Sequence, residues 1–130
     1  MLLWRRKALT NIEMGRLAER AAIRFLKRKG YRILHCNLRV KGGEIDIVAE
    51  HGDVLVFVEV KARSSDEFGR PAEAVNERKQ KRLTKLALQY IAEHERYCRD
   101  CRFDVVEVYM NRYGRIERIN LIADAFDARQ

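Results

Sequence analysis

The stretch that most limits what this chain can become runs from Gly43 to Lys61, Gly-Glu-Ile-Asp-Ile-Val-Ala-Glu-His-Gly-Asp-Val-Leu-Val-Phe-Val-Glu-Val-Lys. Apolar β-branched residues alternate on both sides of His51-Gly52, a pattern that predicts two strands joined by a tight turn. With His51 and Gly52 as the central turn residues, Glu50 faces Asp53, Asp46 faces Phe57 and Glu44 faces Glu59. Side chains alternate along a strand, so Glu44, Asp46, Phe57, Glu59 and Lys61 emerge on one face. Asp46 and Glu59 become diagonal neighbours there. Val54, Val56, Val58 and Val60 fill the other face, while Leu55 and Phe57 share the charged one. Both faces are therefore covered, and the second strand is interior.

Acidic groups in such a place work against folding. Two carboxylates about 5 Å apart repel by roughly 3 kcal/mol at an effective dielectric near 20. The Lys61 ammonium relieves that repulsion, as does a hard cation such as Mg²⁺, which takes carboxylate oxygens as ligands. Two carboxylates and a lysine on one sheet face suit metal-assisted hydrolysis. The plainer alternative is a charged edge hairpin facing water. It sits badly with a strand covered on both sides.

At 130 residues, the length suits one domain with a real core. We expect a basic lead over 1–10, a single domain over 11–125 and a short tail over 126–130. Lys and Arg number 27 against 19 acidic residues, a net charge of +8. That balance points to a nucleic-acid partner, less often to anionic lipid. No apolar run approaches the ~20 residues of a membrane span. Met-Leu-Leu-Trp-Arg-Arg-Lys does not read as a secretory leader, so a cytoplasmic, membrane-free protein is expected. Three cysteines, an odd number, argue against a disulfide framework. Cys98 and Cys101, with His94 and Cys36, have spacing too irregular for a zinc site and read as reduced thiols.

Thr10-Asn11-Ile12-Glu13 has capping-box form and opens a helix predicted to reach Lys29, where Gly30 stops it. Its apolar stripe includes Met14, Leu17, Ala18, Ala21, Ala22, Phe25 and Leu26. From spacing alone, Glu19 pairs with Arg16 or Arg20 on the solvated face. Tyr31–Val40 reads as a strand, and Lys41-Gly42-Gly43 as the turn into the central hairpin. Arg63–Arg70 reads as a polar loop beside the charged strand end. Pro71 opens a second helix predicted to run to about Glu95. On it, Arg78, Lys79, Lys81, Arg82 and Lys85 form a patch suited to phosphates, with Gln80 projecting among them. Arg102–Met110 and Arg115–Ile122 complete a mixed sheet: an antiparallel meander, then a parallel addition after the crossover helix.

Several of these segments together carry a resemblance. Gly15 and Glu19, Gly30-Tyr31-Arg32-Ile33-Leu34, Asn37-Leu38-Arg39, Gly43-Glu44-Ile45-Asp46, Glu59-Val60-Lys61-Ala62-Arg63, Gly69-Arg70-Pro71, Lys79-Gln80 and Arg102-Phe103-Asp104 resemble the YraN-like family. That family is related to restriction-endonuclease-like and Holliday-junction-resolvase-like nucleases. The resemblance implies a restriction-endonuclease-like α/β fold and a nuclease acting on DNA ahead of RNA, with structured or branched DNA in view. It makes Glu19 an auxiliary acid facing the site and Gln80 a polar residue reaching it. It also admits a homodimer, although no dimerisation stripe stands out. Two positions depart from the fuller pattern: Ile45 stands where a proline is found before the aspartate, and Ala18 where a glycine is found before the helix glutamate. Neither removes a ligand. The resulting expectation is one Mg²⁺ (or Mn²⁺) held by Asp46, Glu59 and the Val60 carbonyl, with Lys61 beside it and Glu44 in support. Arg63 and the helix cations would hold nucleic acid. The rival is a non-catalytic nucleic-acid-binding protein on the same scaffold.

Overall fold

The computed structural model describes residues 7–67, 75–94 and 100–128. Its elements follow in the order α1 (Asn11–Arg28), β1 (Arg32–Val40), β2 (Gly43–His51), β3 (Val54–Ser64), a 3-10 turn (Ser65–Glu67), α2 (Glu77–Glu93), β4 (Cys101–Met110) and β5 (Ile116–Phe126). The five strands form one sheet in sequence order. All neighbours are antiparallel except β3 and β4, which pair in parallel from Leu55–Cys101 to Ser64–Met110.

α1 begins where its sequence says it should. The Thr10 hydroxyl accepts from the Glu13 amide and the Glu13 carboxylate accepts from the Thr10 amide, closing the capping box. It ends in a Schellman turn: Gly30 at φ +90° lets its own amide donate to the Lys27 carbonyl and the Tyr31 amide to the Leu26 carbonyl. α1 buries Ala18, Ala21, Ala22 and Leu26 against Ile47, Ala49, Val56, Val58, Val106 and Val108. α2 covers the opposite face, where Leu83, Leu86, Ala87 and Tyr90 meet Val48, Leu55, Phe57, Phe103 and Val105. The central strands are thus apolar on both sides because each side has a helix.

Three expectations change. The hairpin turn is Gly52-Asp53, not His51-Gly52, since His51 pairs with Val54 and Gly52 alone takes a positive φ, +61°. A two-residue hairpin with glycine first is the arrangement that matches strand twist. The pairing therefore slides by two residues, with Val48 rather than Asp46 opposite Phe57. Within the paired stretch, Ile47–His51 with Val54–Val58, a two-residue slide leaves each side chain on its expected face. The second change is at α2, which starts at Glu77 rather than Pro71, because the Asn76 side chain caps it by accepting from the Lys79 amide. Pro71 itself lies outside the described residues. Third, Arg63 and Ser64 belong to β3, paired with Tyr109 and Met110, instead of opening a loop.

Buried polar groups tie the frame together. Asp104, 1% exposed, accepts from the Tyr31 hydroxyl at 2.6 Å, from Arg102 Nε at 3.0 Å and from the Asp124 amide at 2.9 Å. Burial and the Asp104 carboxylate push the Tyr31 phenol up to about 12, so it stays a donor. Tyr31 also stacks on His51, with ring centroids 4.2 Å apart. Core and surface positions should separate cleanly under mutation. Leu26 is fully buried and Ile12 is 69% exposed. In urea unfolding, Leu26→Ala should cost about 2–5 kcal/mol and Ile12→Ala no more than about 0.5 kcal/mol.

Candidate functional site

The β2–β3 ladder stops at Ile47–Val58, and the candidate site lies just beyond that pair. There Asp46 takes the place of a ladder acceptor: its Oδ2 accepts from the Val60 amide at 2.9 Å. On the other side of β2, Asn37 and Asp46 fall between the pairs Cys36–Ile47 and Leu38–Ile45, and Asn37 has φ +50°. Ile45 packs in the α2-side cluster and Ile47 in the α1-side cluster, although residues two positions apart should share a face. The strand therefore turns over at Asp46. Alternation does not carry through to Glu44 as the sequence predicts.

Glu59 stands beside Asp46, since the register continued by one step sets the two opposite each other. Burial pushes the Asp46 carboxyl up to about 7, and the Glu59 charge raises it further toward that value. The hydrogen bond from Val60 pulls the other way, and Glu19 and Glu44 add smaller repulsions. Glu19 reaches this environment from α1 and is half-buried, whereas Glu44 is exposed. Lys61 is half-buried two residues beyond Glu59, in parallel register with Glu107.

Other expected residues have definite places. Lys79 Nζ lies 2.8 Å from Glu59 Oε1, with the Glu59 side chain 13% exposed, so this cation serves the carboxylates rather than standing on the open face. Arg78, Lys81, Arg82 and Lys85 are exposed along α2. Gln80 Nε2 donates to the Val75 carbonyl at 2.6 Å, which fixes the approach to the helix. Arg63 Nε donates to the buried Glu107 at 3.1 Å, and Asn120 donates to the same carboxylate at 3.0 Å. With its side chain 12% exposed, Arg63 is placed for that ion pair and not for open contact with phosphate. Val60 donates its amide to Asp46.

Glu107 and Asp104 did not emerge from the sequence as structural acids. Their signal was available, because two acids three residues apart inside an apolar strand must face opposite sides and find partners there. The Lys79–Glu59 contact had no such signal. It joins two elements whose relative position only the fold supplies.

Among the described residues, no three His, Cys, Asp or Glu side chains are grouped to hold a metal ion. Cys36 and Cys101 are exposed free thiols, and Cys98 lies outside the described residues. The donors at hand are two carboxylates, hard oxygen ligands of the kind Mg²⁺ accepts while keeping several of its waters. Burial first, and then the Glu59 charge, raise Asp46, and a cation beside it would favour its charged form. On both counts the residues fit one hard divalent cation.

The molecule is an α/β protein with a five-stranded mixed sheet between two helices, compatible with a restriction-endonuclease-like fold. Residues 18–108 match the Uncharacterised protein family UPF0102, and the chain belongs to that family. It is 48% identical over 116 residues to a UPF0102 protein of Caldicellulosiruptor saccharolyticus, covering 88% of this chain and 97% of that one. A UPF0102 protein of Symbiobacterium thermophilum is 49% identical over 115 residues, covering 88% and 97% respectively. One from Dictyoglomus thermophilum is 40% identical over 118 residues, covering 91% of this chain and all of its own. No helix among the described residues is long and apolar enough to cross a membrane.

The raised Asp46 has a consequence for stability. Its folded value, about 7, exceeds the ordinary 3.8, so between these the native state holds a proton that the unfolded chain has lost. Its contribution to stability therefore falls as pH rises from about 4 to about 7 and then levels off. Asp46→Asn keeps an acceptor for Val60 and removes this loss. In EDTA, the variant should gain on the order of 1–3 kcal/mol over the parent at pH 8 and little at pH 4. Denaturant midpoints at the two pH values check it, and an equal difference at both would contradict the assignment.

Proposed function

We propose that this protein is a divalent-metal-dependent nuclease that hydrolyses phosphodiester bonds in nucleic acid, using Mg²⁺ or Mn²⁺ at Asp46 and Glu59. The observation that carries the reading is the meeting of these two carboxylates where β2 and β3 part, with Asp46 held near neutrality in its proton affinity. The Val60 amide explains one acid there, but the second, Glu59, only adds repulsion to the sheet. A divalent cation held by Asp46 and Glu59 would supply Lewis-acid polarisation of a phosphodiester and a more acidic water. Lys61 follows Glu59 on the same strand, and its ammonium orients the attacking water or neutralises charge on the phosphorane. Glu19 enters from α1 as the auxiliary acid, and the exposed cations of α2 draw the phosphate backbone toward the site. The family resemblance makes branched DNA the first substrate to try. A junction with two-fold symmetry would call for a pair of copies.

Purified protein with Mg²⁺ or Mn²⁺ should cleave at least one of duplex, single-stranded, flapped or four-way DNA, or structured RNA. Lys61→Ala should lower that rate by about 100-fold or more. Absence of cleavage across the panel, or a rate indifferent to Lys61, overturns the reading.

One observation favours a second reading, a nucleic-acid binder without catalysis: Lys79 already neutralises Glu59. The two readings part on a single variant. If Asp46 and Glu59 bind a cation, Lys79 competes with it, and Lys79→Ala should tighten Mn²⁺ binding by up to about tenfold in calorimetry. A pure binder should take up no Mn²⁺ in either form, while losing nucleic-acid affinity steeply with salt.

A further inference from the structure

A second feature lies along α2, apart from the carboxylates. Between the turn joining β1 to β2 and the latter half of α2 runs a groove of about 550 Å³. Lys41, Arg82, Lys85, Leu86, Leu88 and Gln89 line it. None of these belongs to the carboxylate cluster. Leu88 lies nine residues beyond Lys79, which at 1.5 Å per residue is about 13 Å along the helix.

The turn is why the groove exists. A Cβ on Gly43 would come within 3.1 Å of Leu86 Cδ2, so the glycine backbone allows α2 to approach closely and makes Leu86 the floor. Lys41, Arg82 and Lys85 are all exposed, and no acidic residue lines the groove. Leu88, 48% exposed, is one of only two large apolar side chains left exposed among the described residues. It stands in the midst of these cations.

We propose that this groove holds a single strand of nucleic acid leaving the carboxylate site, with phosphates on Lys41, Arg82 and Lys85 and an unstacked base against Leu88 and Leu86. The inference takes its partner class from the function proposed above, and its place and strandedness from the groove. A duplex offers only its phosphate wall to such a surface, and the apolar part would go unused. A single strand presents phosphate and the flat face of a base together, the combination that single-strand sites exploit. The Gln89 amide adds a donor and an acceptor for a base edge. An acidic peptide satisfies the cations and leaves Leu88 without a partner.

The test is fluorescence anisotropy in EDTA, so that no cleavage intervenes, with a labelled twelve-nucleotide single strand, the matching duplex, and poly-glutamate as competitor. The full chain should bind the single strand more tightly than the duplex. Lys41→Ala with Arg82→Ala should weaken single-strand binding at least tenfold and flatten the salt dependence by roughly 0.7 per lost phosphate contact. Leu88→Ser, at an exposed position that folding does not need, should weaken the single strand severalfold and leave the duplex unchanged. The proposal is overturned if the double variant binds as the parent does, if Leu88→Ser affects both forms equally, or if poly-glutamate displaces the strand at matched charge, which would identify an acidic protein as the partner. Binding without cleavage under any cation would fail the hydrolytic reading and leave the groove standing. Cleavage with groove variants unaffected in binding would do the reverse.

Discussion

The parting of β2 from β3 beyond Ile47–Val58 governs everything at the carboxylate end. An antiparallel ladder satisfies its own amides; once it stops, a half-buried amide needs another acceptor. The Val60 amide finds it in Asp46. That single bond draws the carboxylate in between the strands, where burial disfavours its charge and where Glu59 adds repulsion. Local backbone chemistry and site electrostatics are thus one event.

A comparison with Asp104 shows why Asp46 is distinctive. Both are aspartates of interior strands. Asp104 is surrounded by donors, with Tyr31, Arg102 and the Asp124 amide all directed at it, and Glu107 is likewise served by Arg63 and Asn120. These acids are matched, and removing a partner would leave a buried charge uncompensated. Asp46 has one amide and three neighbouring acids. Its surroundings are short of positive charge, and Lys79 meets that shortage only at Glu59. That mismatch is what sets Asp46 apart from the matched acids, and the proposed cation would relieve it.

α2 connects the two proposed features. Its start places Lys79 on Glu59, and its later turns carry Arg82, Lys85 and Leu88 to the groove beside Lys41. Positive charge then runs outward from the carboxylates along one helix, and on the proposed reading a backbone held there would be directed toward them. The approach of the helix rests on Gly43, which admits Leu86.

Much of this was written locally. Capping at Thr10, the stop at Gly30, the apolar stripes of both helices, strand order and the placing of Asp46, Glu59 and Lys61 on adjoining strands all follow from patterns spanning a few residues. The turn residues were displaced because His51-Gly52 and Gly52-Asp53 are both plausible turns, and the required positive φ at the first position decides between them. A proline signals where a helix can begin, while the Asn76 cap determines where α2 does. What only the tertiary structure decided is how polar groups pair: Lys79 with Glu59, Arg63 with Glu107, and Gln80 with the Val75 carbonyl. Sequence periodicity tells a side chain which way to point. Long flexible cations choose among acids by proximity in three dimensions, and that proximity exists only after the helices have docked on the sheet.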